Sequence, residues 1–300
     1  MYKRIIVIGL IIVICAFFLL NRSGSGDDHF RNQVAVLTYH HIDPVESEYT
    51  ISPERFREHL LALTASHYEV ISAEELVRFI NEGTPVPPNA VVITFDDGYE
   101  SYYRYAYPEL KQQGMTATNF LIVRSVGDRE AETPFLTWDE IKLMHKDGFS
   151  FYSHTYDSHG FNVNEKGKQV SPLTNRIWLE GEQRMETQEE YETRVKADLS
   201  QAENALREQL GNTLSMLCLP HGRYSQTLVK LSSQVGIDTI FTGDYGLNSV
   251  GDHLVKRVTA GVPTLSGQGL IDKINKETTL LGKGEDLLKN LILQIRYRFF

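Results

Sequence analysis

Two adjacent carboxylates follow a hydrophobic, β-branched segment of the sequence. Residues Ala90–Phe95 read as a buried strand, and Asp96-Asp97-Gly98 comes directly after it. Adjacent residues leaving a strand point in different directions, so one carboxylate can bind a metal while its neighbour acts as a general base. Asp-Asp-Gly is also common turn chemistry, so this motif alone leaves a structural role equally open.

Two histidines, His154 and His159, lie five residues apart after another predicted strand. Neutral imidazoles are ligands for zinc and related transition metals. On a straight strand the two side chains would oppose each other, so the segment must bend for both to reach one ion. Paired loop histidines are often merely solvated. Two imidazoles and one aspartate, however, would make a three-ligand site that can activate water.

Two further segments carry groups suited to proton transfer and oxyanion binding. Tyr39-His40-His41 ends the first predicted strand, and either histidine can serve as a general acid because imidazole titrates near neutrality. Pro220-His221-Gly222 forms a turn after a later strand, where backbone N–H groups can point at a developing oxyanion. Taken singly, such histidines and turns are mostly structural.

These motifs lie in a chain where predicted strands and helices alternate. The strands are Val34–Tyr39, Ala90–Phe95, Met115–Val123, Phe149–Ser153, Leu214–Leu219 and Ile237–Thr242. Helices are predicted to begin at the capping residues Ser52, Ser72 and Thr137, over Ser101–Gln113, after Thr187, and over Gln226–Val235. Residues 160–185 are predicted to form a long surface loop. The alternation predicts an α/β fold of parallel βαβ units, as a barrel or a doubly wound sheet, in one domain over residues 34–275.

Composition and charge exclude several classes of protein. The 300 residues carry a net charge of −9, which argues against a nucleic-acid-binding surface. Only two cysteines are present, and one of them lies in the apolar amino-terminal run. Neither a disulfide framework nor a cysteine-based zinc site is therefore expected.

The two ends of the chain carry their own signals. Residues 1–20 combine Lys3-Arg4 with the apolar run Ile5–Leu20, and residues 21–33 form a polar spacer. This pattern predicts a signal peptide or an uncleaved signal anchor, with the rest of the chain extracytoplasmic; a buried core helix is the alternative. Residues 276–300 form an amphipathic tail that could lie against the membrane or pack as an ordinary helix.

Two of these motifs together resemble a known family. Thr94–Gly98 (TFDDG) followed by Ser153–His159 (SHTYDSH) is similar to the first two motifs of the polysaccharide deacetylases, carbohydrate esterase family 4. The five-residue histidine spacing and the early Tyr39-His40 resemble the biofilm poly-β-1,6-N-acetylglucosamine N-deacetylases, whose motif order is permuted. The resemblance covers residues 34–262. It implies a distorted (β/α) barrel, a single catalytic domain and one divalent metal ion.

The resemblance also implies roles for individual residues. Asp97, His154 and His159 match the metal ligands, Asp96 the general base and His40 the general acid. Zinc is the expected metal, and Ni²⁺, Co²⁺ or Fe²⁺ also fit two histidines and a carboxylate.

The third family motif is matched only in part. His221 stands where relatives carry an aromatic residue, and the arginine that many relatives place at the motif's start is missing, so the base needs another partner. Arg257 is the candidate, with a solvated strand-end arginine as the alternative. A backbone contact from His221 to the oxyanion survives the substitution. Trp138 is the preferred sugar-stacking residue, although aromatic residues are as often core.

The resemblance implies removal of acetyl groups from N-acetylglucosamine units of a biofilm exopolysaccharide, with acetate released. The partners expected are this polysaccharide and, through the amino-terminal segment, the bacterial membrane; the protein is expected to be a monomer. Two other readings stay open. One is a deacetylase of peptidoglycan or chitin oligomers, and the other is a surface module that binds polysaccharide without catalysis.

Overall fold

A computed structural model describes residues 28–299, with side chains through residue 295. The predicted signal segment, residues 1–20, lies outside the described residues. The strands are β1 Val34–Tyr39, β2 His41–Ile42, β3 Thr50–Ile51, β4 Glu69–Val70, β5 Ala90–Phe95, β6 Thr118–Leu121, β7 Ser150–Ser153, β8 Asn162–Val163, β9 Gln169–Val170, β10 Trp178–Leu179, β11 Arg184–Met185, β12 Met216–Cys218, β13 Thr239–Phe241, β14 Leu254–Val255 and β15 Val258–Thr259. The helices are α1 Pro53–Ala65, α2 Ala73–Glu82, α3 Tyr107–Gln112, α4 Trp138–Lys146, α5 Gln188–Leu210, α6 Gln226–Gln234, α7 Gly267–Thr278 and α8 Leu280–Phe299.

Nine of the described strands form one parallel sheet. Eight follow the order β14-β13-β12-β7-β6-β5-β1-β15, and β4 pairs with the first half of β5. The outer strands β14 and β15 are separated in the chain by Lys256-Arg257 alone. The two ends of the sheet are therefore close together, and the sheet curls into the distorted (β/α) barrel that the resemblance predicted.

The side chains of the strands alternate between two cores, as the period of two requires. One core takes a residue from every long strand, including Val36, Val92, Phe120 and Phe241, together with the apolar face of α2. We identify it as the barrel interior, closed at one end by α2. The strand side chains that point to the opposite face of the sheet, including Leu37 and Ile93, pack outward against helices such as α1 and α7. Side chains that follow the carboxyl ends of the strands are thereby held by a rigid frame.

Most predicted elements are present, and three differ. The predicted loop at residues 160–185 contains two short antiparallel hairpins, β8–β9 and β10–β11. Two-residue strands are too short to show a periodic pattern, so the sequence could not reveal them. The predicted strand Met115–Val123 is regular only over β6, and a 3₁₀ turn begins at Val123. The helix predicted over Ser101–Gln113 starts with a π-helical turn before α3.

The capping signals located the helices well. Ser72, Thr137 and Thr187 each form a complete capping box at the start of α2, α4 and α5. The boundary predicted between residues 275 and 276 falls inside α7. Among residues 28–299, no helix has both the length and the apolar composition required to cross a bilayer.

Candidate active site

A cavity of about 650 Å³ opens at the carboxyl end of the barrel strands. Its wall is formed by residues that directly follow β1, β5, β7 and β13, together with loop residues. They include His40, Asp96, Asp97, His154, His159, His221 and Arg257. The fold thus brings seven of the eight predicted site residues to one cavity, although they are spread over more than 200 positions of the sequence.

Asp97, His154 and His159 form a compact cluster in this cavity. Asp97 Oδ1 lies 3.4 Å from His154 Nε2 and 3.1 Å from His159 Nε2. The three potential ligand atoms all lie within 4.8 Å of one another. Asp97 Oδ1 is buried and accepts no hydrogen bond from the described residues. An unpartnered buried carboxylate oxygen facing two imidazole nitrogens fits a divalent cation that takes nitrogen and oxygen ligands.

The chain bends between the two histidines, as their spacing required. Thr155 adopts a left-handed conformation with φ = 77°, which bends the chain immediately after His154. Asp198, on α5, accepts hydrogen bonds from the backbone N–H groups of Tyr156 at 3.2 Å and Asp157 at 2.8 Å. These contacts fix the loop so that His159 returns to the cavity.

Asp97 itself has strained backbone geometry. Its φ is 76°, a value that costs free energy for a residue with a side chain, and Gly98 continues the turn with φ = 82°. The turn separates the directions of Asp96 and Asp97, so the adjacent carboxylates take different partners. Such strain persists where the surrounding structure holds it, and it occurs frequently at functional sites.

The orientation of His154 is set by a backbone contact. Its Nδ1–H donates to the carbonyl oxygen of Cys218 at 2.9 Å, which leaves Nε2 as the nitrogen turned to Asp97. This is the arrangement expected for a metal-binding histidine. Asp96, His154 and Cys218 also lie close together. That set fits a cation poorly, because Asp96 is bonded to Arg257 and burial raises the pKa of the Cys218 thiol, which keeps it protonated.

Asp96 is paired with a buried arginine. Nη1 of Arg257 lies 2.9 Å from each of the two Asp96 oxygens, and its Nε–H donates to the carbonyl oxygen of Thr242 at 2.9 Å. Burial would raise the pKa of Asp96, but the charge of Arg257, followed by that of His154, holds this pKa below its ordinary value. Asp96 is therefore an ionised carboxylate. Arg257 occupies the link between β14 and β15, where the ends of the sheet meet.

The two neighbouring histidines after β1 have different surroundings. His40 Nε2 lies 3.8 Å from Asp96 Oδ2, and 26% of the His40 side chain is exposed. His41 is bonded through Nδ1 to the hydroxyl of Ser101 at 2.8 Å, and burial lowers its pKa. Of these two histidines, His40 is therefore the one whose ring lies beside the Asp96 carboxylate.

Comparison with known proteins identifies the family. Residues 83–240, just over half of the chain, match the family described as polysaccharide deacetylase. The chain belongs to this family. Its members are hydrolases that act on carbon–nitrogen bonds other than peptide bonds.

Several relatives of this deacetylase-family chain share a name. The poly-beta-1,6-N-acetyl-D-glucosamine N-deacetylase of Escherichia coli (strain K12) is 24% identical over 253 residues, covering 78% of this chain and 38% of that protein. The protein of the same name from Staphylococcus aureus (strain MRSA252) is 24% identical over 191 residues, covering 63% of this chain and 59% of that protein. The chain thus spans less than two thirds of the length of both relatives.

Two solved structures share the fold. The de-N-acetylase from Aggregatibacter actinomycetemcomitans superposes with a TM-score of 0.73 at 25% identity, covering 80% of this chain and 99% of that one. IcaB from Ammonifex degensii gives a TM-score of 0.69 at 26% identity, covering 81% and 97%. His40 and Arg257 lie outside the family match at residues 83–240, yet the barrel places both against Asp96.

Two predicted site residues of this polysaccharide deacetylase remain, and only one of them, His221, lines the cavity. His221 lines the cavity in a left-handed conformation with φ = 58°, and its Nε2–H donates to the carbonyl oxygen of His159 at 3.0 Å. Burial, followed by the charge of His159, lowers the pKa of His221 to about 4, so its ring is neutral. Trp138 begins α4, packs against the outer core and does not line the cavity. The structure therefore does not support Trp138 as a sugar-stacking residue of this cavity.

The sequence reasoning missed two supporting residues. The buried Cys218 thiol donates to Asp96 Oδ1 at 3.4 Å, and its carbonyl oxygen orients His154. Cys218 offered no signal beyond its position two residues before Pro220. Asp198 did offer one, because it shares the buried stripe of α5 with Tyr191, Val195 and Ala202. An acid in an apolar stripe needs a partner, and here the partners are backbone N–H groups of the histidine loop.

Proposed function

We propose that this chain is a metal-dependent N-deacetylase that removes acetyl groups from N-acetylglucosamine units of an extracellular poly-β-1,6-N-acetyl-D-glucosamine polysaccharide. One observation carries the proposal: an open metal-ligand cluster of Asp97, His154 and His159 shares a cavity with an ionised Asp96 and with His40. The names of the relatives from Escherichia coli and Staphylococcus aureus support this substrate class.

The proposed cofactor is a divalent ion, with zinc as the first candidate, held by Asp97 Oδ1, His154 Nε2 and His159 Nε2. When bound, such an ion supplies Lewis-acid chemistry, polarising a carbonyl oxygen and lowering the pKa of water. The protein contributes the fixed orientation of its ligands. Cys218 holds His154 through its carbonyl oxygen, and Asp198 holds the loop that carries His159.

Asp96 is the proposed general base. It accepts a proton from the attacking water through Oδ2, the oxygen that lies nearer His40. Arg257 keeps the carboxylate ionised and fixes its plane by contacting both oxygens. The hydroxide equivalent then adds to the acetamide carbon. The backbone N–H of His221 is the proposed donor to the developing oxyanion, because its left-handed turn faces the cavity.

His40 is the proposed general acid. The carbon–nitrogen bond breaks as His40 donates a proton to the leaving nitrogen, which is necessary because an amide anion is a very poor leaving group. Acetate and a glucosamine unit with a free amine are the products. The position of the His40 ring supports this step, since its Nε2 opens to the cavity 3.8 Å from Asp96 Oδ2.

We further propose that the enzyme works outside the cytoplasm. Its amino-terminal segment would either anchor it in the membrane or direct its export. The support is the sequence pattern of Lys3-Arg4 followed by the apolar run Ile5–Leu20.

The test measures release of acetate and free amine from poly-β-1,6-N-acetyl-D-glucosamine by the full chain, with and without chelator and added metal. We expect metal-dependent release that falls about 10²–10⁴-fold in Asp96→Asn. Asp157→Asn is the matched control, because Asp157 is an exposed acid of the histidine loop that pairs with Arg124. Activity in Asp96→Asn equal to that of the control would refute the assignment of the base.

Parallel assays with peptidoglycan and chitin oligomers separate the substrate alternatives. Release from those polymers alone would keep the mechanism and overturn the proposed linkage. Binding of polysaccharide without release from any of them, in protein with one equivalent of bound metal, would instead indicate a non-catalytic binding module.

A further inference from the structure

The carboxyl-terminal helix α8 presents an apolar stripe to solvent. The stripe consists of Leu280, Leu281, Leu287, Leu288, Leu291, Ile292 and Ile295. Each of these side chains is between 48% and 90% exposed. At 3.6 residues per turn, the seven positions fall within an arc of about 140°. The stripe is therefore one continuous face of the helix.

The opposite face of α8 is packed on the domain. Gly282 lies so close to the end of α7 that a Cβ there would clash with the carbonyl oxygen of Lys276. The Asn290 side chain accepts from the Tyr245 backbone N–H at 2.8 Å and donates to the Tyr245 carbonyl at 3.0 Å. Leu293 lines the catalytic cavity. These contacts fix the rotation of α8, so the apolar stripe faces away from the domain.

This stripe is unlike the remainder of the described surface. Elsewhere in residues 28–295, no helix carries more than one exposed large apolar side chain; the others are Val45, Tyr49, Leu61, Leu143, Phe161 and Val250. Single exposed apolar residues are normal in soluble domains, whereas a contiguous apolar patch marks an interaction surface.

Charge favours an anionic partner for this surface. Residues 280–300 contain four lysines or arginines and two acids, a local charge of +2 in a chain whose net charge is −9. Lys283 and Lys289 are exposed on α8, on either side of the apolar stripe. An amphipathic helix with lysines beside its apolar face is typical of segments that lie in the interface of an anionic membrane.

The start of the described chain lies near the end of α7. The His29 ring stacks on Tyr68 with centroids 5.0 Å apart, and the Tyr68 hydroxyl donates to Asn275 of α7 at 2.7 Å. Helix α7 leads directly into α8. Asp28 is eight residues beyond the apolar run Ile5–Leu20, a distance of at most about 29 Å for an extended chain. A retained anchor would therefore hold the α7–α8 pair near the bilayer.

From these observations we infer that α8 docks on an anionic phospholipid bilayer, with its apolar stripe at the boundary between headgroups and acyl chains. Leu293 and the stripe lie on opposite sides of one helix, so the cavity wall would stand about one helix diameter, ~10–12 Å, from the lipid. This arrangement would present the cavity to a polymer at the membrane surface. The inference concerns the surface alone and does not require the proposed substrate.

The test uses spin labels in the full chain with Cys15→Ser, since the buried Cys218 is inaccessible to label. Leu288→Cys reports on the stripe, and Leu143→Cys, an exposed leucine on α4, is the matched control. Vesicles contain phosphatidylcholine alone or with one quarter phosphatidylglycerol. With phosphatidylglycerol, we expect a several-fold loss of accessibility to an aqueous nickel chelate at residue 288, a gain in oxygen accessibility there, and no change at residue 143.

Three results would overturn the inference. Residue 288 could remain accessible to the nickel chelate in vesicles that hold the protein through its amino terminus. Protection could be the same in phosphatidylcholine alone, which would remove the anionic requirement. Spin–spin broadening at residue 288 in the absence of lipid would show that a second copy of the chain covers the stripe. Lys283→Glu gives an independent measure, because reversing one charge near an anionic surface should weaken docking at least about fivefold.

Discussion

Two buried pairs of acids in this molecule behave in opposite ways. Asp96 and Asp97, at the carboxyl end of β5, both have pKa values below the ordinary value of an aspartate. Glu277 and Asp286, at the junction of α7 and α8, are equally buried. There, burial and then the neighbouring Asp286 raise the pKa of Glu277 to about 8. Burial is common to both pairs, so it cannot explain the difference.

The difference lies in the groups that face each pair. Arg257 contacts both oxygens of Asp96, and His154 and His159 face Asp97, so burial is outweighed by these partners. At the junction, no histidine or arginine of the described residues forms an ion pair with Glu277 or Asp286.

The nearby cations of the junction compensate little of this charge. Lys289 Nζ is 3.7 Å from Asp286, and Lys273 Nζ donates to the carbonyl oxygen of Thr259 instead of to Glu277. With little compensation from these cations, the neighbouring Asp286 favours the protonated form of Glu277. Asp96 and Asp97 are thus held ionised by their partners, whereas Glu277 resists ionisation.

The largest effect is expected from removing the carboxylate between the histidines. Asp97→Ala should abolish measurable deacetylation and reduce bound metal to background, because two histidines alone are an incomplete ligand set. Metal content by inductively coupled plasma mass spectrometry checks this directly. The control Glu100→Ala removes a nearby acid that is paired with Arg129 and should leave metal content unchanged. Retention of stoichiometric metal by Asp97→Ala would mean that the cation is held elsewhere.

Removing Arg257, the cation that faces Asp96, should raise the pKa of Asp96, as burial does for Glu277. Arg257→Met leaves the Asp96 carboxylate buried without its main partner, which typically costs about 3–5 kcal/mol of unfolding free energy. Activity should also fall, because a protonated Asp96 cannot act as a base. Arg124→Met is the control, since Arg124 forms an exposed pair with Asp157 and such pairs contribute about 0–1 kcal/mol. Urea denaturation compares the two variants; equal, small losses would show that Arg257 does not stabilise the carboxylate.

A smaller effect is expected from the acid that holds the histidine loop. Asp198→Asn can accept only one of the two backbone N–H bonds, so His159 should be less well positioned and metal affinity should fall about 10–100-fold. Competition with a chromophoric chelator measures that affinity. Glu203→Gln is the matched control, because Glu203 is another buried acid of α5 whose pKa burial raises. If the two variants lost affinity equally, the effect would reflect general damage to α5.

The sequence predicted the βαβ alternation, the helix caps, and the one acid and two histidines of the candidate metal-ligand cluster. These features are local, since each depends on a short pattern of apolar spacing, capping residues or a motif. The bend at Thr155 could also be foreseen, because a spacing of five residues demanded it. The resemblance implied a barrel, but its closure through Lys256-Arg257 could not be foreseen from local patterns, since it depends on which strands pair across the whole chain.

Partners contributed from distant strands were the hardest to foresee. From the sequence, Arg257 is a candidate partner of Asp96 with a solvated strand-end arginine as the alternative. The Cys218 contact with Asp96 crosses 122 positions of sequence. Trp138, the sugar-stacking residue preferred from the sequence, begins α4 and packs against the outer core instead of lining the cavity. The sign of each acid's pKa shift likewise depends on neighbours that the local sequence does not contain.

The smallest expected effect concerns Glu277, which is buried beside Asp286. It tests whether this acid has the raised pKa that distinguishes it from Asp96 and Asp97. Glu277 has a folded-state pKa of about 8 against 4.5 for an unperturbed glutamate. The folded state therefore binds this proton more tightly, and its contribution to stability is complete below about pH 4.5 and is lost as the pH rises to 8. Glu277→Gln should leave the melting temperature nearly unchanged at pH 5 and raise it by a few degrees at pH 9.

The neighbouring Glu285 makes the sign of this prediction easy to check. Glu285 is exposed on α8, and its ion pair with Lys276 lowers its pKa, so its contribution is present at neutral pH and lost in acid. Glu285→Gln should therefore lower the melting temperature slightly at pH 9 and have little effect in acid, opposite to Glu277→Gln. Differential scanning calorimetry at both pH values separates the variants. If the two variants shifted the melting temperature in the same direction at pH 9, the opposite pKa shifts of Glu277 and Glu285 could not be attributed to their neighbouring charges.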